Sequence, residues 1–103
     1  MKKSKSDLII IASAKASPGK VAELERALLE ASGPTRAQPG CVSFGTYSSV
    51  DDPAVIIGLE RWASEEEHER HLQGPHVKPL MSRMVGILAE PPKILSYRVI
   101  DED

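Results

Sequence analysis

The chain has 103 residues, a formal net charge of -2 and 41% hydrophobic side chains. That length makes one domain with a modest core, and a near-neutral balance gives no electrostatic basis for holding nucleic acid or an anionic membrane. A single cysteine, Cys41, cannot form an internal disulfide, which fits a reducing compartment and makes the chain expected to be cytoplasmic.

The opening MKKSKSDLIIIASA imitates a signal peptide, but its unbroken apolar run is only Leu8 to Ala12, short of the roughly 7–15 residues such a segment needs. It is read instead as a flexible tail over residues 1–7, followed by a buried strand from Leu8 to Ala14 that is apolar at both parities. Ser17-Pro18-Gly19 ends that strand. A helix begins at Lys20, with Val21, Leu24, Leu28 and Ala31 on one stripe, and weakens at Gly33-Pro34, although Thr35 to Ala37 can add a turn. After the break at Gln38-Pro39-Gly40, Cys41 to Ser48 reads as a second strand carrying Val42, Phe44 and Tyr47. Asp51-Asp52-Pro53 forms a hairpin turn, and Ala54 to Trp62 pairs back as the third strand.

Ser64 followed by Glu67 is a capping box, so a short helix starts there and runs to about Leu72 or Gln73. Gly74-Pro75 interrupts it. Pro75 suits the first position of the next helix, whose stripe is Val77, Leu80, Met81, Met84, Val85 and Leu88. Pro91-Pro92 closes that helix, Lys93 to Ile100 is a last strand, and residues 101–103 are an acidic tail. No run reaches the length of a transmembrane helix. A single domain over residues 8–100 thus has the order β-α-β-β-α-β. This is the α+β, ferredoxin-like plan: a four-stranded antiparallel sheet with its helices on one face. Strands apolar at both parities leave the second face apolar as well, so a homodimer packed sheet against sheet is expected.

Chemistry concentrates between Glu60 and Met84, which holds the only tryptophan, all three histidines and every methionine except the first. Strand parity puts Ile56, Gly58, Glu60 and Trp62 on one face and Val55, Ile57, Leu59 and Arg61 on the other. A glycine between larger residues leaves room above the sheet, so the pocket is assigned to the Gly58 and Trp62 face and the dimer to the aliphatic one. On the short helix Leu72 is the one large apolar residue, and His68 and His71 beside it lean inward. Met81 and Met84 form the opposite wall, and Tyr47 and His76 complete the lining of a mostly apolar cavity for a small planar organic ligand. Each residue also has a plainer reading. Trp62 fits a core position, His71 and His76 fit helix capping, and Glu60 is either a base with a raised pKa or the partner of an arginine. The methionines are core first and ligand wall second. His68 and His71 stand at i and i+3, but no further ligand converges on them, so no metal site is assigned. There is no nucleotide-binding glycine loop, Cys-x-x-Cys pair or nucleophile elbow.

Thr35-Arg36-Ala37-Gln38-Pro39-Gly40-Cys41, Asp51-Asp52-Pro53, Glu60-Arg61-Trp62 and His71-Leu72-Gln73-Gly74-Pro75-His76 stand in the order and approximate spacing of the antibiotic biosynthesis monooxygenase domain. The chain resembles that domain from about Leu8 to Tyr97. The resemblance implies a dimeric α/β barrel with a pocket between helices and sheet in each subunit. It also implies one of the family's activities: cofactor-independent oxygenation of quinols or polyketide anthrones, haem degradation, or isomerisation of a phosphorylated quorum-sensing sugar derivative. Polyketide-type members pair the strand tryptophan with an asparagine and a tyrosine, approximately where this chain has Gly58 and His68. Haem-degrading members use an asparagine and a helix tryptophan, the latter near His71, and this chain has no asparagine at all. The His-Leu-Gln-x-Pro-His stretch resembles the quinol-oxygenase and sugar-isomerase members.

The expected function is therefore a cofactor-independent monooxygenase acting on a small aromatic quinol or hydroxyaromatic. Such chemistry needs a base or hydrogen-bond partner for a phenolic proton and a dry cavity in which the anion can pass an electron to oxygen. His71 is the candidate for the proton step, and Trp62 shapes the cavity. The expected partners are the aromatic substrate, molecular oxygen and a second copy of the chain, with no cofactor, nucleic acid or membrane. Two alternatives stand beside this: an isomerase drawing a phosphate site from Lys15, Lys20, Arg36 and Lys78, and a non-catalytic, stress-associated dimer that binds aromatics.

Overall fold

The computed structural model describes residues 7–102, so the tail expected over residues 1–7 lies outside the described residues except for Asp7. The elements are β1 (Leu8–Lys15), α1 (Val21–Arg36), β2 (Cys41–Ser48), β3 (Val55–Trp62), α2 (Glu65–Leu72), α3 (Val77–Val85) and β4 (Lys93–Arg98). The four strands form one antiparallel sheet in the order β2-β3-β1-β4, the ferredoxin-like arrangement. Among the described residues no helix is long and apolar enough to cross a membrane.

One face of the sheet is covered by helices. Ala16 and Ile56 from that face pack with Leu24 and Ala27 of α1, Met84 of α3 and Ile87 beyond it, and a second cluster joins Leu8, Ile10 and Trp62, flanked by Cys41. The other face carries Ile9 and Ile11 of β1, Ile57 and Leu59 of β3, Tyr47 of β2, and Leu95 and Tyr97 of β4, placed together by the register. Leu59, Tyr47, Leu95 and Tyr97 are solvent-exposed there. Arg61, on this face, is held by Asp7 at 2.9 Å and by Glu102 at 2.6 Å.

Several local features differ from the sequence expectation. α1 does take up the extra turn allowed after Gly33-Pro34 and runs to Arg36, although Pro34 cannot donate to the carbonyl four residues back. Tertiary contacts hold that last turn: Ala31 and Thr35 are buried, and the Arg36 guanidinium donates twice to the Phe44 carbonyl oxygen. At the start of α2, Ser64 Oγ accepts from the Glu67 N–H at 3.2 Å, but the Glu67 carboxylate pairs with Arg70 instead of completing the reciprocal half of the box. α3 starts two residues after Pro75, with His76 as its N-cap. It stops at Val85, and its expected stripe divides: Met84 is buried, whereas Met81 and Val85 face outward.

Candidate functional site

The site is assembled on the helix-covered face of β3 at the end where α2 crosses. Alternation along an extended strand puts Glu60 and Trp62 on that face together, and both are buried, at 8% and 0% exposure. The Trp62 indole N–H donates to Glu60 Oε1 at 2.8 Å, which satisfies the indole and one carboxylate oxygen in the interior. Burial pushes the Glu60 pKa up, and the bond from Trp62 opposes that rise.

α2 supplies the roof, and here the sequence reading is corrected. Leu72 does not anchor the helix: it is 51% exposed, and the buried residue of α2 is His71, at 8%. One position is about 100° around a helix, so the rotation that turns Leu72 outward turns His71 onto the tryptophan. Their rings stack at 4.7 Å between centroids with 28° between planes. His68 lies 5.8 Å from Trp62 in a tilted arrangement, and His76 lies 5.6 Å from His71. His76 Nε2 shares a hydrogen bond with Thr35 Oγ1 at 3.1 Å, while His71 Nδ1 is bonded to Gln38 Oε1. Desolvation lowers the His71 pKa to about 4, helped by His68 and His76, so the ring is neutral at pH 7. His68 is lowered too, by burial, with Glu69 opposing.

Of the residues expected at the site, the structure brings together Glu60, Trp62, His68, His71 and His76. Gly58 adjoins them, but the room expected above it is taken: a methyl there would meet the Phe44 ring at 3.6 Å and Glu60 Oε2 at 3.9 Å, both ordinary contacts. Three expected residues lie elsewhere. Met84 packs into the core beneath α1, and Met81 is exposed. Tyr47 sits on the opposite face, because it pairs with Ile57. A bulge between Cys41 and Ser43 resets the parity of β2, so that Phe44 and Thr46 share the face of Glu60 while Val42 is extruded. Among the described residues no three His, Cys, Asp or Glu side chains converge as a metal would require.

The sequence reading missed Thr35, Gln38 and Phe44. Thr35 and Gln38 fall where the helical pattern gives out, and the signal they carry is their place in the Thr35 to Cys41 stretch that resembles the family, which by itself assigns them no contact with the site. Gly40 explains how that stretch turns back over the site. Its φ of 87° is one that only glycine adopts readily, and a side chain there would collide with Glu67 of α2.

Residues 7–83 match the family described as antibiotic biosynthesis monooxygenase. The chain belongs to this family. A Mycobacterium tuberculosis protein named "Putative monooxygenase Rv0793" is 32% identical over 78 residues, covering 75% of this chain and 76% of that one. Its solved structure superposes with a TM-score of 0.89 at 27% identity, over 94% of this chain and 98% of the other. The crystal structure of PA3566 from Pseudomonas aeruginosa gives a TM-score of 0.88 at 25% identity, over 97% and 100% of the two chains. "Uncharacterized protein sll1783" of Synechocystis is 25% identical over 68 residues, covering 66% of this chain; the match spans only 46% of that longer relative. Membership of the antibiotic biosynthesis monooxygenase family supports a monooxygenase-like role for this chain.

Proposed function

We propose that the Trp62 and His71 cluster is the active site of a cofactor-independent monooxygenase acting on a small quinol or hydroxyaromatic. The observation that carries this reading is the neutral, buried imidazole of His71 stacked on the Trp62 indole. A neutral imidazole in a dry setting accepts the hydrogen of a phenolic hydroxyl and pushes electron density into the ring, from which an electron passes to oxygen. The substrate supplies all four electrons: a quinol and molecular oxygen give a hydroxyquinone and water, one oxygen atom entering the ring. Trp62, fully buried beneath His71, backs the imidazole and fixes its plane. Glu60 holds the indole in place and is the second acceptor in reach of the cluster.

The basic residues that an isomerase of a phosphorylated sugar would need support that alternative poorly. Lys15 pairs with Asp52, Lys20 with Glu23, and Arg36 is occupied by the Phe44 carbonyl. Lys78, the fourth, lies two residues after His76 at the start of α3.

The exposed apolar face bearing Leu59, Leu95 and Tyr97 supports the second part of the reading, a homodimer packed through its sheets. A cytoplasmic setting fits the single thiol of Cys41, whose pKa burial pushes up, so that it is protonated and unreactive at neutral pH.

The deciding experiment is oxygen uptake by the purified protein with a panel of reduced naphthoquinols and hydroxyaromatics. Uptake above autoxidation is expected, falling about 100-fold in His71→Ala and less in Trp62→Phe. Absence of uptake across the panel, or full activity in His71→Ala, overturns the reading.

A further inference from the structure

We infer that Gln38 is the positioning residue that fixes the tautomer of His71, holding the proton on Nδ1 and leaving Nε2 as the bare, accepting nitrogen. The inference rests on the reading of His71 as the proton acceptor and says which of its two nitrogens does the work.

An amide oxygen only accepts, so the ring nitrogen facing Gln38 Oε1 must carry hydrogen. The other ring nitrogen then holds the lone pair, and among the described residues nothing donates to it. The amide suits this role better than a carboxylate would. A carboxylate would orient the ring equally well but would favour the imidazolium, whereas an amide orients it without adding charge. His71 already faces His68, His76 and the Trp62 indole, with Glu60 behind the indole, and a neutral orienting group keeps the ring uncharged among them.

Gln38 is itself held in place. Its N–H donates to the Thr35 carbonyl and its own carbonyl accepts from the Cys41 N–H, both at 3.1 Å, so the side chain leaves a fixed turn between α1 and β2. The amide lies over Gly74, in the turn after α2. A methyl at Gly74 would stand 2.6 Å from Gln38 Nε2 and 3.1 Å from the His71 carbonyl oxygen. The missing side chain at Gly74 is what admits the amide. Its backbone is not in the left-handed region, so alanine is conformationally allowed there; it displaces the flexible amide and presses the His71 carbonyl by a few tenths of an ångström.

The test is the imidazole nitrogen spectrum of nitrogen-15-labelled protein at pH 7, taken without substrate. In the unaltered protein, His71 is expected to show hydrogen on Nδ1 and a bare Nε2. Gln38→Leu and Gly74→Ala are both expected to abolish that preference, the second without altering either partner. Gln38→Glu is expected to keep the tautomer and raise the His71 pKa above about 4. Hydrogen on Nε2 in the unaltered protein, which would mean the amide faces the other way, overturns the inference. So does a tautomer unmoved in both Gln38→Leu and Gly74→Ala. A purely structural Gln38 would change stability and leave the tautomer alone. Because no turnover enters this readout, an inactive oxygen-uptake panel would sink the monooxygenase reading and leave the tautomer assignment standing.

Discussion

Trp62 and Glu60 are two residues apart on one strand, and the indole N–H of the first reaches the carboxylate of the second at 2.8 Å in the protein interior. The pairing ties the aromatic surface of the site to its one buried acid. Each group would be expensive to leave alone, since an unpaired buried polar group costs about 1–3 kcal/mol and a charged one more.

Trp62→Phe keeps most of the apolar surface and removes the donor. Glu60 should then titrate at a still higher pH, measurable from its carboxyl carbon-13 shift. Its raised pKa means that the folded state prefers the protonated acid, so stability is fullest below the ordinary carboxylate range and declines as pH rises through the folded pKa. The loss in Trp62→Phe, on the order of 1–3 kcal/mol by urea denaturation, should be larger at pH 8 than at pH 5. An equal loss at both would mean that the bond contributes nothing specific to the ionised acid.

His71 acts with the opposite sign. On unfolding, the ring binds a proton near 6.5, whereas in the folded chain it resists until about 4. Its contribution is therefore complete above pH 6.5, falls as pH drops toward 4, and levels off below. The span is on the order of 3 kcal/mol. Comparing wild type with His71→Leu at pH 7.5 and pH 4.5 isolates this term from the carboxylates, and the variant should show the shallower pH dependence.

Leu95→Glu places a charge on the open sheet face, on the edge strand β4 opposite Ile11. Sedimentation velocity should show a dimer for the unaltered chain and a monomer for this variant. The spectrum of the Trp62 cluster should be preserved, because Leu95 points away from it. A monomeric unaltered chain at micromolar concentration would refute sheet-to-sheet pairing.

Ser64→Ala removes the oxygen that accepts from the Glu67 N–H and should cost about 1 kcal/mol. Amide hydrogen exchange should accelerate first in α2, the helix that carries His68 and His71. Uniform acceleration over the whole chain would mean that α2 does not open on its own.

The strands and their shared faces were legible because alternation over eight residues is a strong signal, and it put Glu60 beside Trp62 without any structure. The order of elements followed from glycine and proline punctuation. The rotation of α2 was not legible. Eight residues with a single large apolar side chain do not define a stripe, and the burial of His71 is decided by the tryptophan beneath it. The place of Tyr47 depends on the hairpin register, which pairs it with Ile57, and that register is set by the length of the turn between β2 and β3 rather than by the residue types of the strand. Gln38 and Thr35 act through long-range contacts with α2 and with the His76 cap, and local pattern carries no information about partners that far along the chain.

The guanidinium of Arg61 grips Asp7, just before β1, and Glu102, beyond β4, so the two ends of the described chain meet at one point on the sheet. That corner is far from the Asp51-Asp52-Pro53 turn, where β1 and β3 reach their other ends. A rearranged gene that joins residues 102 and 7 through a short linker and opens the chain within that turn would keep every strand pairing and leave the Trp62 corner intact. The architecture is in this sense indifferent to where its polypeptide begins.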